Sequence, residues 1–397
     1  MQIPLAEHEP AFGVPLTPTQ RDQLRRLAPS INVQPTIGMV DRYDLTPGSY
    51  VGVCHLADDL EVVIRPKIPI DRVMFLISYA VGFGRWREEQ GSLARADSIL
   101  EAIIPAFTYR LRQALSRGVI QGYRTDDDAL TTVRGRWRIG DQLRRLGAPI
   151  PIEVTFDEFT EDIELNRLLR AALHRLLRLR IRDDRQRWPL RALEARLSEI
   201  RLVEYDRRRI PEVLLDRRTE RYRGAIGLAR LILADASFDL EPGAAPASAF
   251  LIDMNKVFED FVVGALRDAL GSRSQALVQG ASGRRLFLDV GEKIPLKPDL
   301  SLWAGASCRF VGDVKYKRIR SDAYPNADLY QLTAYAIATN LPGGVLVYAA
   351  GPDEPAVHEV VHLGKRLELL PLDLRLEPDA ILKQVAVLGS RIAEAAA

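Results

Sequence analysis

Apolar and polar positions change their period along the chain. Near the N-terminus, Tyr50-Val-Gly-Val-Cys54 and Leu60-Glu-Val-Val-Ile-Arg65 alternate or run β-branched between Pro47-Gly48 and Asp58-Asp59, which predicts a small β-rich region over residues 1–70. From Asp71 to Tyr123 the period lengthens to that of helices, with Phe107, Leu111, Ala114 and Leu115 on one stripe. The longest apolar run, 73–83, reads as a buried helix and falls short of the ~20 residues that cross a bilayer. A pair of strands is expected at 131–139 and 150–159, then helices over 164–234. The stretch Glu241-Pro-Gly-Ala-Ala-Pro-Ala-Ser248 is poor in bulky side chains and rich in breakers, as a linker is. Beyond it, a helix over 253–270, strands near 285–290, 297–303 and 308–315, a helix over 327–339 and an apolar strand from Gly344 predict an α/β core.

These patterns divide the chain into a β-rich and helical region at 1–130, a strand pair with Arg-rich helices at 131–245, and an α/β domain at 246–397. Composition adds that 397 residues, 47% hydrophobic and 27% charged, suffice for two or three cores. The opening Met-Gln-Ile-Pro-Leu-Ala-Glu-His-Glu lacks the basic and apolar regions of a secretory signal, so a cytoplasmic location is expected. Cys54 and Cys308 match no zinc spacing, and a reducing compartment disfavours a disulfide between them. A net charge of +2 predicts no nucleic-acid affinity by itself, but residues 131–223 hold 23 Arg, no Lys and 16 acids. Arginines over 167–209 fit two readings, a phosphate track or a set of salt-bridged helix faces.

The chemistry concentrates in the C-terminal region. Lys-Pro-Asp299 is followed fourteen residues later by Asp313-Val-Lys315. Hydrolysis of a phosphodiester uses a divalent cation, and Mg²⁺ takes hard oxygen ligands from one or two carboxylates, here Asp299 and Asp313. On a strand, Asp313 and Lys315 share a face while Val314 packs behind it, with its backbone carbonyl a further possible ligand. Lys315 is then the group that orients the attacking water or helps deprotonate it. The chain has 47 Arg and eight Lys, and five of those lysines (256, 293, 297, 315 and 317) lie between residues 250 and 320. Upstream, Val257, Phe258, Phe261, Val262, Ala265 and Leu266 form a helical stripe with Glu259 at its edge, able to lean toward the same site. Downstream, Gln331 and Tyr335 stand four apart on one helical face, within reach of a phosphate or a carboxylate.

The order helix Glu, Pro-Asp, Asp-x-Lys, Gln-x-x-x-Tyr resembles the PD-(D/E)xK nuclease superfamily in its RecB-like form. Met254-Asn-Lys-Val-Phe-Glu-Asp-Phe-Val, Lys315-Tyr-Lys, Asp328-Leu-Tyr-Gln-Leu-Thr-Ala-Tyr-Ala and Phe156-Asp-Glu-Phe-Thr-Glu-Asp-Ile-Glu-Leu-Asn-Arg167 are similar to the McrC subunits of McrBC modified-cytosine restriction systems. The likeness runs from about Arg134 to about Tyr348. It implies a PD-(D/E)xK α/β core and Mg²⁺-dependent cleavage of DNA at 5-methylcytosine-containing sites. It also implies a partner, a McrB-like hexameric AAA+ GTPase, because the chain has no G-x-x-x-x-G-K-[ST] of its own. Docking on that ring and stimulating its hydrolysis then fall to residues 1–130 and perhaps the strands up to Phe159, with Gly122-Tyr-Arg-Thr-Asp-Asp-Asp among the polar loops that would insert. Two other functions share these residues: a stand-alone RecB-type repair or processing nuclease, and a noncatalytic scaffold of an AAA+ assembly.

Two further motifs carry less. His358-Glu-Val-Val-His362 matches H-E-x-x-H, but Pro352, Pro355 and the surrounding valines predict a strand, which would hold the two imidazoles about 13 Å apart. Gly82-Phe-Gly84 lacks the third glycine of a dinucleotide fingerprint and reads as a helix end.

Overall fold

The computed structural model describes residues 1–82, 96, 98–144, 150–239, 246–271, 277–279, 285–318, 326–350 and 355–395. These fall into two compact units, one of residues 1–102 with 237–397 and the other of 103–236. The grouping differs from three consecutive regions, because the N-terminal strands and the C-terminal domain share a sheet.

In the first unit a five-stranded sheet has the order Gln2–Ala6, Glu61–Arg65, Tyr50–His55, Ala247–Asp253, Ala236–Asp239. Tyr50–His55 runs antiparallel to Ala247–Asp253, so the end of the expected linker is a strand; residues 241–245 lie outside the described set. A second, three-stranded antiparallel sheet is made by Ala11–Pro15, Arg42–Pro47 and Ile31–Pro35. The helix Pro18–Leu27 starts with a capping box in which Thr17 and Gln20 satisfy each other's backbone N–H groups. Its Leu24 and Leu27 join Leu45, Cys54, Val62 and Ala249 in one buried cluster. The apolar run after residue 70 forms the helix Ile70–Ala80, nearly all of it buried.

The site lies on a six-stranded mixed sheet of order Leu277–Gln279, Leu300–Ala304, Ser307–Arg318, Gly343–Ala350, Arg366–Pro371, Ala356–Glu359. Ser307–Arg318 pairs antiparallel with Leu300–Ala304 and parallel with Gly343–Ala350. The helix Asn326–Ala338 lies in the connection between those parallel strands, as their shared direction requires. Gly343 opens its strand where a Cβ would meet the Arg366 carbonyl oxygen at 1.8 Å, so the close approach needs glycine. Helix Asn326–Ala338 buries Leu332 and Tyr335 against Val311, Leu346 and Leu369. Helix Met254–Leu270 packs through Phe258 on Tyr316, at a ring-centroid distance of 5.8 Å. Odd positions of the Ser307–Arg318 strand therefore meet one helix and even positions the other, as a period of two dictates.

Two expected strands come out shorter or shifted. Over 285–290 only Leu286–Phe287 is extended, paired with Pro295–Leu296. His358 lies on the strand Ala356–Glu359 and His362 in the turn that follows, at φ 63°.

Over 164–235 of the second unit the α-helices are Glu164–Arg178, Asp184–Arg196 and Arg223–Asp235, whereas 201–219, expected to be helical, is not. Gly122-Tyr-Arg-Thr-Asp-Asp-Asp is not a loop. It belongs to the strand Gly122–Leu130, which pairs along its length with Ile152–Thr160, while 131–139 yields only the short strand Arg136–Trp137. The acidic run is stable as a strand because its charges are met: the Arg124 guanidinium donates to Asp126 at 2.8 Å, Thr125 to Asp157 at 2.6 Å and Thr155 to Asp127 at 2.5 Å.

Candidate active site

Asp313 and Lys315 come from one strand and point to one side, as alternation predicts. Asp313 is fully buried at 0% exposure, so its carboxylate is cut off from water and depends on the charged groups beside it. The Lys315 ammonium forms an ion pair with Asp313 Oδ2 and lies 3.9 Å from Asp299 Oδ2. Asp299, at the residue before the strand Leu300–Ala304, is held by the Val314 N–H, which donates to its Oδ2 at 2.9 Å. The chain is thus folded so that three charged groups, two of one sign, meet in a partly enclosed place.

The electrostatics reflect that crowding. Burial, and next the Asp313 charge, push the Asp299 carboxyl well above the usual carboxylate range, against the pull of the Val314 N–H. Burial works to lower the Lys315 pKa, but the Asp313 and Asp299 carboxylates outweigh it and hold the ammonium above the ordinary lysine value.

Helix Asn326–Ala338 supports the loop that carries Asp299. The Tyr335 hydroxyl donates to the Lys297 carbonyl at 3.0 Å, and the Gln331 amide donates to that hydroxyl at 2.6 Å. Tyr335 is buried, while Gln331 is exposed. Burial, and then the nearby Asp313 charge, raise the Tyr335 pKa. Asp328, from the first turn of that helix, accepts from the Tyr348 hydroxyl at 3.1 Å and pairs with Lys317 at 2.5 Å. The sequence marks Lys317 only as one of five clustered lysines and Asp328 only as the start of the helix motif that contains Gln331, and assigns neither them nor Tyr348 to the site.

Glu259 stands at the side of this cluster. Its Oε1 accepts from the Gln279 amide at 2.9 Å, and Gln279 also donates to Asp260 at 2.7 Å. Its charge still reaches Asp299, whose pKa it helps to raise. Gln279 carries no motif, and only the pairing of Leu277–Gln279 with Leu300–Leu302 brings it here. The Val314 amide is tied to Asp299, whereas its expected role was through the carbonyl.

The donor set fits a hard divalent cation. Two carboxylates close enough to raise the pKa of Asp299, one of them fully buried, concentrate negative charge that a cation would neutralise. Among the described residues no three His, Cys, Asp or Glu side chains gather into one ligand group. The set matches Mg²⁺, which keeps several waters beside one or two carboxylates.

Fold and site together define a multidomain α/β protein with a carboxylate–lysine cluster on a mixed sheet. The chain belongs to the family described as McrBC 5-methylcytosine restriction system component, whose family model matches residues 45–349. Among solved structures, a chain of the refined half-complex from a tetradecameric assembly of Thermococcus gammatolerans McrB AAA+ hexamers with bound McrC is similar to it over 99% of this chain and 100% of that one. The identity is 20% and the TM-score 0.58, a likeness of fold. A chain of the cryo-EM structure of the Thermococcus gammatolerans McrBC complex matches at 22% identity over 68% and 88% of the two chains, with a TM-score of 0.44. No curated protein matches the chain.

Proposed function

We propose that this chain is the nuclease subunit of an McrBC-type restriction system, a PD-(D/E)xK endonuclease that cleaves DNA phosphodiesters with Mg²⁺. The observation that carries the reading is Asp313, a fully buried carboxylate with the Lys315 ammonium against it and a second carboxylate, Asp299, beside that ammonium. A buried carboxylate is costly unless something charged answers it, and such sites are usually functional.

In this reading Asp299 and Asp313 hold the cation, with the Val314 carbonyl as a further ligand and Glu259 as a ligand or water-positioning carboxylate. When bound, Mg²⁺ supplies Lewis-acid polarisation of the phosphate and a more acidic water. The chain's own groups do the rest. The Val314 N–H fixes the Asp299 carboxylate, and the Lys315 ammonium orients the attacking water and offsets charge on the phosphate. Gln331 and Tyr335 hold the Lys297–Asp299 turn, and the exposed Gln331 is placed for phosphate contact.

The partner is a McrB-like AAA+ GTPase hexamer, a proposal supported by family membership and by the fold shared with a chain from the Thermococcus gammatolerans assembly. Residues 1–130 and the strands that follow dock on it and stimulate its hydrolysis. The far end of the Gly122–Leu130 and Ile152–Thr160 pair supports this, because Val133, Trp137, Ile139, Leu143 and Ile150 are all more than half exposed there.

The test is cleavage of methylated and unmethylated plasmid with Mg²⁺, with and without the AAA+ partner and GTP or ATP, using Lys315→Ala as control. Cutting that needs partner, nucleotide and Lys315 is the expected result. Cutting by the chain alone would make it a stand-alone nuclease, and no cutting under any condition would leave a scaffold.

A further inference from the structure

We infer that an open cleft in the second unit binds the phosphodiester backbone of DNA through Arg117, Arg217, Arg218 and Arg221. The inference rests on the proposal that DNA is the substrate, and it adds a contact surface outside the Asp299–Asp313–Lys315 cluster. The cleft measures about 520 Å³, and its described lining includes those four arginines, Gln121 and Phe159 but no Asp or Glu.

Several other arginines of the unit are held by carboxylates or backbone carbonyls. Arg167 is bound to Asp162, Arg223 to Glu220 and Arg124 to Asp126. Arg170, Arg175, Arg196 and Arg207 donate to the backbone carbonyls of Ser198, Leu233, Leu115 and Ala234. Those seven arginines hold the fold together, whereas the four of the cleft gather without a carboxylate among its described lining.

Two carboxylates lie near the cleft in sequence, Glu220 and Asp216, and neither is in its described lining. Glu220 is gripped by two nitrogens of Arg223, at 2.6 and 2.8 Å. Asp216 lies beside Arg218 but uses Oδ1 to cap the backbone N–H groups of Arg218 and Thr219, at 2.9 and 2.8 Å. Arg221 donates through Nε to the Ala114 carbonyl at 3.0 Å and lies over the Tyr222 ring at 5.2 Å. Arg117, Arg217 and Arg218 are exposed.

Phe159 adds the second half of the argument. It is 54% exposed and sits 5.2 Å, centroid to centroid, from Tyr123, which is 78% exposed. Planar guanidinium forks match phosphate oxygens, and exposed aromatic faces stack on bases or sugars. An acidic protein surface would answer the charge but has no need of the aromatic wall.

The experiment is fluorescence anisotropy of labelled duplex and single-stranded DNA with the full chain, in EDTA, across a salt series. Arg117→Ala/Arg217→Ala/Arg218→Ala should weaken binding ~10-fold or more at low salt and flatten the log–log salt slope by ~2 to 3, since each phosphate contact contributes ~0.9. Arg217→Glu/Arg218→Glu, at two exposed positions, should weaken it further. Arg185→Ala/Arg191→Ala, outside the cleft, should leave both affinity and slope as in the wild type. Binding is read without Mg²⁺ and without cleavage, which separates this surface from the nuclease assignment. Wild-type affinity and slope in the triple variant would overturn the inference. So would undetectable DNA binding by the wild-type chain, or intact DNA binding in a triple variant that no longer captures the AAA+ partner.

Discussion

The Val314 N–H donates to Asp299 Oδ2 at 2.9 Å, fastening one carboxylate of the site to the strand that carries the other. Asp299 and Asp313 are thereby held together although like charges repel. Asn in place of Asp299 keeps an acceptor for that N–H and removes the repulsion. Asp299→Asn should abolish cleavage and stabilise the metal-free protein by ~1 kcal/mol, since burial and the Asp313 charge disfavour the ionised carboxyl. Thermal unfolding in EDTA beside a plasmid assay checks both, and a lowered melting temperature with retained cleavage would contradict the arrangement.

Tyr335→Phe deletes the hydroxyl that joins Gln331 to the Lys297 carbonyl while keeping the ring in its apolar cluster. The loss should cost ~1 kcal/mol of stability. Cleavage should fall ~10-fold through a loosened Asp299 turn, since a small misplacement of a reacting group is expensive. Single-turnover cleavage separates this from weakened DNA binding, which should not change.

Asp162 in the second unit accepts from Arg167 at 2.7 and 2.8 Å and from the Arg201 N–H at 2.9 Å. The Arg167 hydrogen bond, against the cost of burial, drives its pKa far below the usual range. A carboxylate depressed in the folded state stabilises it above the unfolded pKa, near 4, and that contribution fades as pH falls toward the folded value. The unit should therefore lose stability below about pH 4. Asp162→Asn should cost ~2 to 3 kcal/mol at pH 7 and flatten the acid limb. Thermal melts over a pH series measure both.

Trp137 and Leu143 are 51% and 71% exposed at the far end of the strand pair. Trp137→Ala/Leu143→Ala should leave folding intact and weaken capture of the AAA+ partner ~10-fold or more, as the loss of a large apolar anchor does. Co-elution and partner GTPase stimulation report the result, and unchanged stimulation would move docking elsewhere.

What was legible in the sequence was local. Asp313, Val314 and Lys315 sit on one strand, as a period of two requires, and Glu259, Gln331 and Tyr335 sit on the helices expected to carry them. What needed the structure was non-local. The Tyr50–His55 strand pairs with Ala247–Asp253, and no pattern within either segment announces the other. Gln279 reaches Glu259 only through a three-residue strand. The Gly122–Leu130 strand was hidden because an aspartate run reads as a loop until Arg124 and the facing Thr155 are placed against it.

The most direct test is Asp313→Asn, assayed for plasmid cleavage with Mg²⁺, the AAA+ partner and nucleotide. Replacing the buried carboxylate removes several kcal/mol of charge complementarity to the cation, so cleavage should fall ~10³-fold or more. Partner capture, GTPase stimulation and DNA binding should persist. Cleavage at the wild-type rate by this variant would contradict the assignment of the site.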